Sequence, residues 1–263
     1  MTVEVPAGIT ESRQRLPGWA EVGAALLHFL FPSPCRGCGG MLDAGRRSLL
    51  CSGCWERMGP VPPPFCPQCG WPFPSPRALE ASPTHLCGRC RETRTHFAVA
   101  RAATVYEEGS PAREAILAFK HTGRDTLGRH LAGLMAERAG PVLGEGPWEV
   151  LVPVPLHPRR ERARGFNQAA FLARHLGRRA RLPVAGRALR RVRETPPQSG
   201  DPDDRRRNVR DAFAVPDPRH VAGRHVLLVD DVLTTGATAN ECARTLRRAG
   251  ARRVGVFTLA RVP

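Results

Sequence analysis

The run Val226-Leu227-Leu228-Val229-Asp230-Asp231, continued by Val232-Leu233-Thr234-Thr235-Gly236-Ala237-Thr238, constrains this chain more than any other stretch. Its apolar half does not alternate, which is the pattern of a strand buried on both faces in a parallel sheet. A small, hydroxyl-rich turn follows, and a helical period runs from 238 to 249. That order puts the Asp pair at the C-terminal end of the strand and the turn at a helix start. Unpaired N–H groups and the helix dipole favour an anion there. Carboxylates accept hydrogen bonds from hydroxyls or hold a hard cation. Backbone amides and the Thr234, Thr235 and Thr238 hydroxyls can wrap a phosphate. The loop therefore predicts a ligand with a phosphate close to a diol.

A second apolar run, Val150-Leu151-Val152-Pro153-Val154-Pro155-Leu156-His157, ends the same way. Its prolines predict that the strand stops near Pro153, since proline has no N–H for a ladder. Four arginines follow within 159–164, around a turn and a helix start, and a helix is expected through 176. The bland reading is a solvated basic loop. The functional reading is an arginine clamp for a second phosphate, at the same C-terminal edge of one sheet, where open α/β folds bind ligands. Further strands are read near 99–105 and 254–260, with helices over 112–119 and 127–139. The stretch 141–147 reads as a loop, and 195–208 as a mobile, polar one. Strands alternating with helices give an α/β architecture with a mainly parallel sheet flanked by helices. Neither GxGxxG nor GxxxxGK[ST] occurs, so dinucleotide and P-loop readings lack support.

Eight of the nine cysteines form four CxxC pairs: Cys35 and Cys38, Cys51 and Cys54, Cys66 and Cys69, Cys87 and Cys90. Each half has the knuckle spacing of a four-thiolate zinc site. Two structural Zn²⁺ ions are expected, with sequential pairing the simplest grouping and a cross-brace left open. Metal would supply folding energy to a segment with modest apolar content. Cys242 stands alone in the helix after the Asp pair and reads as a buried filler. No secretory signal is read at the start of the sequence, and the apolar run 24–31 is too short to span a bilayer. Reduced, metal-bound thiolates in the cytoplasm are the expectation. The chain divides into a tail and short helix over 1–30, a zinc ribbon module over 31–95 and an α/β domain over 96–263. Its 263 residues carry a formal charge of +16, nearly all from arginine, the only lysine being Lys120. Two four-thiolate zinc sites would lower that to about +12. Such a charge steers polyanions towards a protein without locating a site.

The stretch from Asp230 and Asp231 to Thr238 closely resembles the diphosphate-sugar signature of type I phosphoribosyltransferases. Over 35–261 the chain resembles the ComF family of late-competence proteins, which join a double zinc ribbon to a phosphoribosyltransferase domain. The pieces that carry this are the CxxC pairs, Phe119-Lys120, Val152-Pro153-Val154-Pro155-Leu156-His157, Arg164-Gly165-Phe166-Asn167-Gln168, Gln198, Arg206 or Arg207 with Asn208-Val209, Ala212-Phe213 and the Asp230 to Thr238 loop. The resemblance implies a type I phosphoribosyltransferase-like fold that binds phosphoribosyl diphosphate with Mg²⁺. Asp230 and Asp231 would meet the ribose hydroxyls. Thr234, Thr235, Gly236, Ala237 and Thr238 would cradle the 5′-phosphate, and Arg159, Arg160 or Arg164 would face the diphosphate. Single-stranded DNA and proteins of DNA uptake or recombination are the partners it implies. Three readings stay open: a transferase of unknown acceptor, a DNA-uptake protein that uses the pocket for binding or regulation, and a zinc-stabilised interaction module.

Overall fold

The computed structural model describes residues 34–42, 49–75, 84–122, 126–195 and 202–263. The tail and helix expected over 1–30, and Gln198, lie outside them. Among the described residues six strands are present: β1 (Val99–Val105), β2 (Val150–Pro153), β3 (Arg190–Arg191), β4 (Phe213–Ala214), β5 (His225–Leu233) and β6 (Arg253–Arg261). Four of them form a parallel sheet in the order β1-β6-β5-β2. Strands β3 and β4 make a separate antiparallel pair.

The unbroken apolar run of β5 follows from burial on both faces. Leu227 and Val229 join a core with Ile116, Phe119, Leu131 and Leu172. Val226 and Leu228 join a second core with Phe213, Cys242 and Leu246. The first face is covered by α3 (Pro111–Thr122), α4 (Thr126–Glu137) and α7 (Gln168–Ala180), the second by α9 (Ala237–Arg248). Cys242 is fully buried in that second core, as a filler should be.

The cysteine segment covers the outer edge of β1. Ala100 N donates to Gln68 O at 2.7 Å, and the Thr104 hydroxyl donates to Gly59 O at 2.7 Å. An open strand edge invites unwanted pairing, and this cover removes it. The two cysteine clusters straddle the sheet. Cys35 and Cys54 belong to the core on the α3 and α4 side, and Cys66, Cys69 and Cys87 to the core on the α9 side. They are also copies of one design. Cys35 N bonds Gly40 O as Cys66 N bonds Trp71 O, and Cys51 and Cys87 each precede a five-residue helix, α1 (Ser52–Glu56) and α2 (Gly88–Glu92). In each first knuckle a glycine with positive φ, Gly39 or Gly70, turns the chain.

Four sequence expectations need correction. The stretch 141–147 is not all loop: α5 (Gly140–Gly144) forms there, and Val142 O accepts the Trp148 indole N–H at 2.7 Å. The polar stretch 195–208 is not a mobile loop throughout, because 202–209 form α8 (Pro202–Val209), whose last residue Val209 is buried. The arginine-rich stretch is itself helical, α6 (Pro158–Arg164), closed by Gly165 at φ 79° before α7 begins. Finally, β5 does not end at the Asp pair but runs on to Leu233, since β6 continues to pair with it. Among the described residues no helix is long and apolar enough to cross a membrane.

Trp148 packs over Gly255 of β6, where an added Cβ would lie 2.7 Å from the ring's Cζ2. A methyl group here overfills a tight core, at a cost of ~1–3 kcal/mol. Gly255→Ala is therefore expected to lower the melting temperature by roughly 3–10 °C. Differential scanning calorimetry checks this, and an unchanged midpoint would show that the Trp148 contact is soft.

Candidate functional site

The site begins where β2 gives out. Its last ladder partner is Pro153, opposite Val229. Val154 N still reaches Val229 O at 2.9 Å, and Pro155 then has no donor to offer. Residues 230–233 of β5 are left with a ladder on the β6 side alone. The freed edge opens a cleft of about 290 Å³ that holds Asp230 and Asp231. Each carboxylate turns back on the chain: Asp230 Oδ1 accepts from Asp231 N at 2.9 Å, and Asp231 Oδ1 from Val232 N at 2.7 Å. Asp231 Oδ2 pairs with Lys120 Nζ at 2.9 Å, both side chains being largely buried. Burial, and then the charge of Asp231, push the Asp230 carboxyl well above the usual carboxylate range.

From β2 the chain enters α6 through His157, whose Nδ1 accepts from Arg159 N at 3.4 Å, with Pro158 in the first turn. Asn167 caps α7 by accepting from Ala170 N at 3.2 Å, while its Nδ2 donates to Val154 O at 3.1 Å. One side chain thus fixes both the end of β2 and the start of α7. Arg160 and Arg164 line the same cleft as the Asp pair. Arg160 is braced on Thr195 O at 2.7 Å, and Arg164 donates to Gln168 Oε1 at 2.8 Å. Gln168 is 2% exposed, and its Nε2 has no partner among the described residues. Arg191, from β3, reaches the cleft as well; its guanidinium bonds Thr195 Oγ1, and its Nε likewise lacks a partner among the described residues. Buried donors left in this state are costly unless something else accepts from them.

Of the residues singled out from the sequence, Asp230, Asp231, Arg160, Arg164, Thr234, Gly236 and Thr238 meet in this cleft. Gly236 is the N-cap of α9 at φ 81°. Thr235 and Ala237 instead line the neighbouring cleft, and the Thr235 hydroxyl accepts from Ala237 N at 3.3 Å. Arg159 stays outside, with a side chain 77% exposed and 3.7 Å from Glu194. Sequence reasoning did not select Lys120, Gln168 or Arg191 as site residues. Lys120 and Gln168 stood in the recognised pattern, so a signal existed. Arg191 carries no local motif that marks it.

The cysteines sort into Cys35, Cys38, Cys51 and Cys54, and Cys66, Cys69, Cys87 and Cys90, with all Sγ atoms of a set within 4.8 Å of one another. Pairing is sequential, not a cross-brace. Zn–S bonds of about 2.3 Å on a tetrahedron require sulfurs about 3.8 Å apart. The Cys35–Cys54, Cys38–Cys51 and Cys69–Cys87 separations are 3.5, 3.8 and 3.6 Å. Backbone N–H groups of Gly37 and Cys51 point at Cys35 Sγ, and that of Cys87 at Cys66 Sγ, as thiolate-facing knuckles require. Both sets fit a zinc ion.

Residues 26–91 match the family model of the double zinc ribbon domain, and residues 162–263 that of the phosphoribosyl transferase domain. The chain is 33% identical over 235 residues to competence protein F of Haemophilus influenzae, covering 86% of this chain and 96% of that one. It is 35% identical over 217 residues to the DNA utilization protein YhgH of Escherichia coli K12, covering 81% and 90%. Competence protein ComFC of Bacillus subtilis is 27% identical over 217 residues, covering 81% and 84%. A chain that combines paired four-cysteine clusters with a phosphoribosyltransferase fold, and aligns with competence protein F over nearly its whole length, belongs to the ComF family of competence proteins.

Proposed function

We propose that the cleft below β5 binds phosphoribosyl diphosphate as its Mg²⁺ complex, in a cytoplasmic protein that handles DNA. The observation that carries this reading is the pairing, in one cleft, of two carboxylates with a cationic wall that keeps unused buried donors at Gln168 Nε2 and Arg191 Nε. A diol meets the first, and a multiply charged anion the second. Asp230 and Asp231 take the ribose hydroxyls. Thr234, Gly236, Thr238 and the first amides of α9 take the 5′-phosphate. Arg160, Arg164, Gln168 and Arg191 take the diphosphate, and Arg159, which points away, is left out. Mg²⁺ would be held mainly by ligand and water oxygens and would offset diphosphate charge. The two cysteine sets hold structural Zn²⁺, and with no disulfide among the described cysteines they suit a reducing compartment.

In a transfer reaction an acceptor lone pair would form a bond to the anomeric carbon, and the C–O bond to diphosphate would break. The diphosphate leaves with that electron pair. The chain's part is to position the sugar and to neutralise the departing charge with preorganised donors. No side chain in the cleft marks an acceptor class.

The names of the relatives, together with the charge of +16, support a second activity, contact with single-stranded DNA. The neighbouring cleft fits it, since Arg89, Arg206, Arg207, Arg210 and Arg244 line it against one acidic side chain, Glu241.

Titration calorimetry with phosphoribosyl diphosphate and Mg²⁺ tests the pocket. Binding is expected to weaken at least tenfold in the Asp230→Ala/Asp231→Ala double variant and ~10–100-fold in Gln168→Ala, a lost hydrogen bond to a charged group. Arg159→Ala should bind as the native protein does. No binding by the native protein, or equal binding by the double variant, sinks the assignment.

A second measurement follows from the raised proton affinity of Asp230. A carboxyl that binds its proton more tightly when folded loses stability as pH rises above its unfolded value, near 4. Asp230→Asn removes that loss. The unliganded variant should melt above the native protein at pH 7–8, with the gap closing towards pH 4; a gap independent of pH would refute the account.

For DNA, affinity measured by fluorescence anisotropy should fall by orders of magnitude between about 50 and 200 mM salt if phosphate contacts dominate. A flat dependence argues against the arginine surface.

A further inference from the structure

Arg261 ends β6 and is 2% exposed. One of its terminal nitrogens, Nη1, donates to Thr234 O at 2.6 Å and to Leu233 O at 3.2 Å. The other, Nη2, points to Cys69 Sγ at 3.7 Å. Arg89 lies inside the knuckle formed by Cys87 and Cys90, and its Nη1 donates to the same Thr234 carbonyl at 3.4 Å. Two guanidinium groups, one touching the second cysteine cluster and one borne by it, therefore converge on the first residue of the loop between β5 and α9. Both contacts come from the side of the second cluster.

A buried guanidinium needs an anion nearby. No carboxylate pairs with Arg261 among the described residues. The charge that would balance it is that of the metal-loaded cluster, since four thiolates around one Zn²⁺ carry a net −2. The fork geometry of arginine lets one side chain hold two carbonyls and still face a sulfur, which the point charge of lysine cannot do.

We infer that Arg261 is a positioning residue linking the zinc site of Cys66, Cys69, Cys87 and Cys90 to the loop that carries the sugar-phosphate contacts, so that metal at this site sets the loop's shape. The inference deepens the proposed phosphoribosyl diphosphate site and rests on it for the ligand's identity. The link between cluster and loop stands on the hydrogen bonds alone. Coupling of this kind is reciprocal: a ligand ordering the loop must act back on the cluster.

The test uses the full chain with two metal ions bound. Arg261→Met should keep two zinc ions by elemental analysis, yet show at least tenfold faster amide hydrogen exchange over 233–238 and at least tenfold weaker phosphoribosyl diphosphate binding. Arg261→Lys should recover only part of either loss, and it decides the matter should the Met variant fail to fold. With Co²⁺ in place of Zn²⁺, adding phosphoribosyl diphosphate should shift the thiolate-to-cobalt charge-transfer band of the native protein and leave that of Arg261→Met unmoved. A merely structural side chain would not produce that difference. Native exchange rates in a variant that keeps both zinc ions overturn the link. Failure of the native protein to bind phosphoribosyl diphosphate overturns the ligand assignment instead, and the exchange comparison still decides the link.

Discussion

The pairing of β5 with unequal neighbours is the constraint on which the rest of this molecule depends. On one side β6 follows it to its last residue, Leu233 opposite Arg261. On the other β2 abandons it at Val229, because prolines at 153 and 155 deprive that strand of donors. A parallel strand with two complete ladders would have no cleft at its end. The four-residue overhang supplies one, and the two carboxylates lie on it. Everything else in the site is arranged around that gap: Asn167 pins its far edge, α6 brings Arg160 and Arg164, and α9 brings its N-terminus.

The Asp pair also shows a cost that a ligand site accepts. Two adjacent carboxylates in a partly closed cleft raise the proton affinity of Asp230, and one lysine, Lys120, paired with Asp231, offsets this only in part. Gln168 Nε2 and Arg191 Nε add buried donors without acceptors among the described residues. Departures from local satisfaction of this kind gather at functional sites and are compensated elsewhere. Here the compensation is the doubly covered sheet, whose central strand is buried from Val226 to Val229.

The cysteine clusters solve a different difficulty. A short segment with little apolar content cannot hold itself together, and two ribbon-like sites let it do so while sealing the edge of β1. Their positions on opposite faces of the sheet give them different neighbours. The first packs into the core beneath α3. The second reaches the end of β6 and, through Arg261, the loop that follows β5.

Much of this was legible in the residues. Unbroken apolar runs at 150–154 and 226–229 mark doubly buried strands, prolines mark where one stops, and CxxC spacing marks the metal knuckles, because each of these signals acts within a few residues of chain. The helix over 202–209 has no apolar stripe to mark it, because its residues are almost all polar, and buried Val209 stands at its end. Arg191 and Arg261 carry no local signature at all. Each becomes a site residue only when segments distant in sequence bring a guanidinium into the cleft of Asp230, or beside Cys69 and Thr234. The chain by itself determined which strands are buried, where they turn and which cysteines form metal knuckles, since backbone geometry and the reach of a CxxC turn are short-range; how the knuckles pair was settled by the fold. Which charges face one another across the cleft, and which cluster touches the loop, was decided only by tertiary packing. Partners for a buried charge are chosen by proximity in space, and nothing in a residue's neighbours along the chain encodes that.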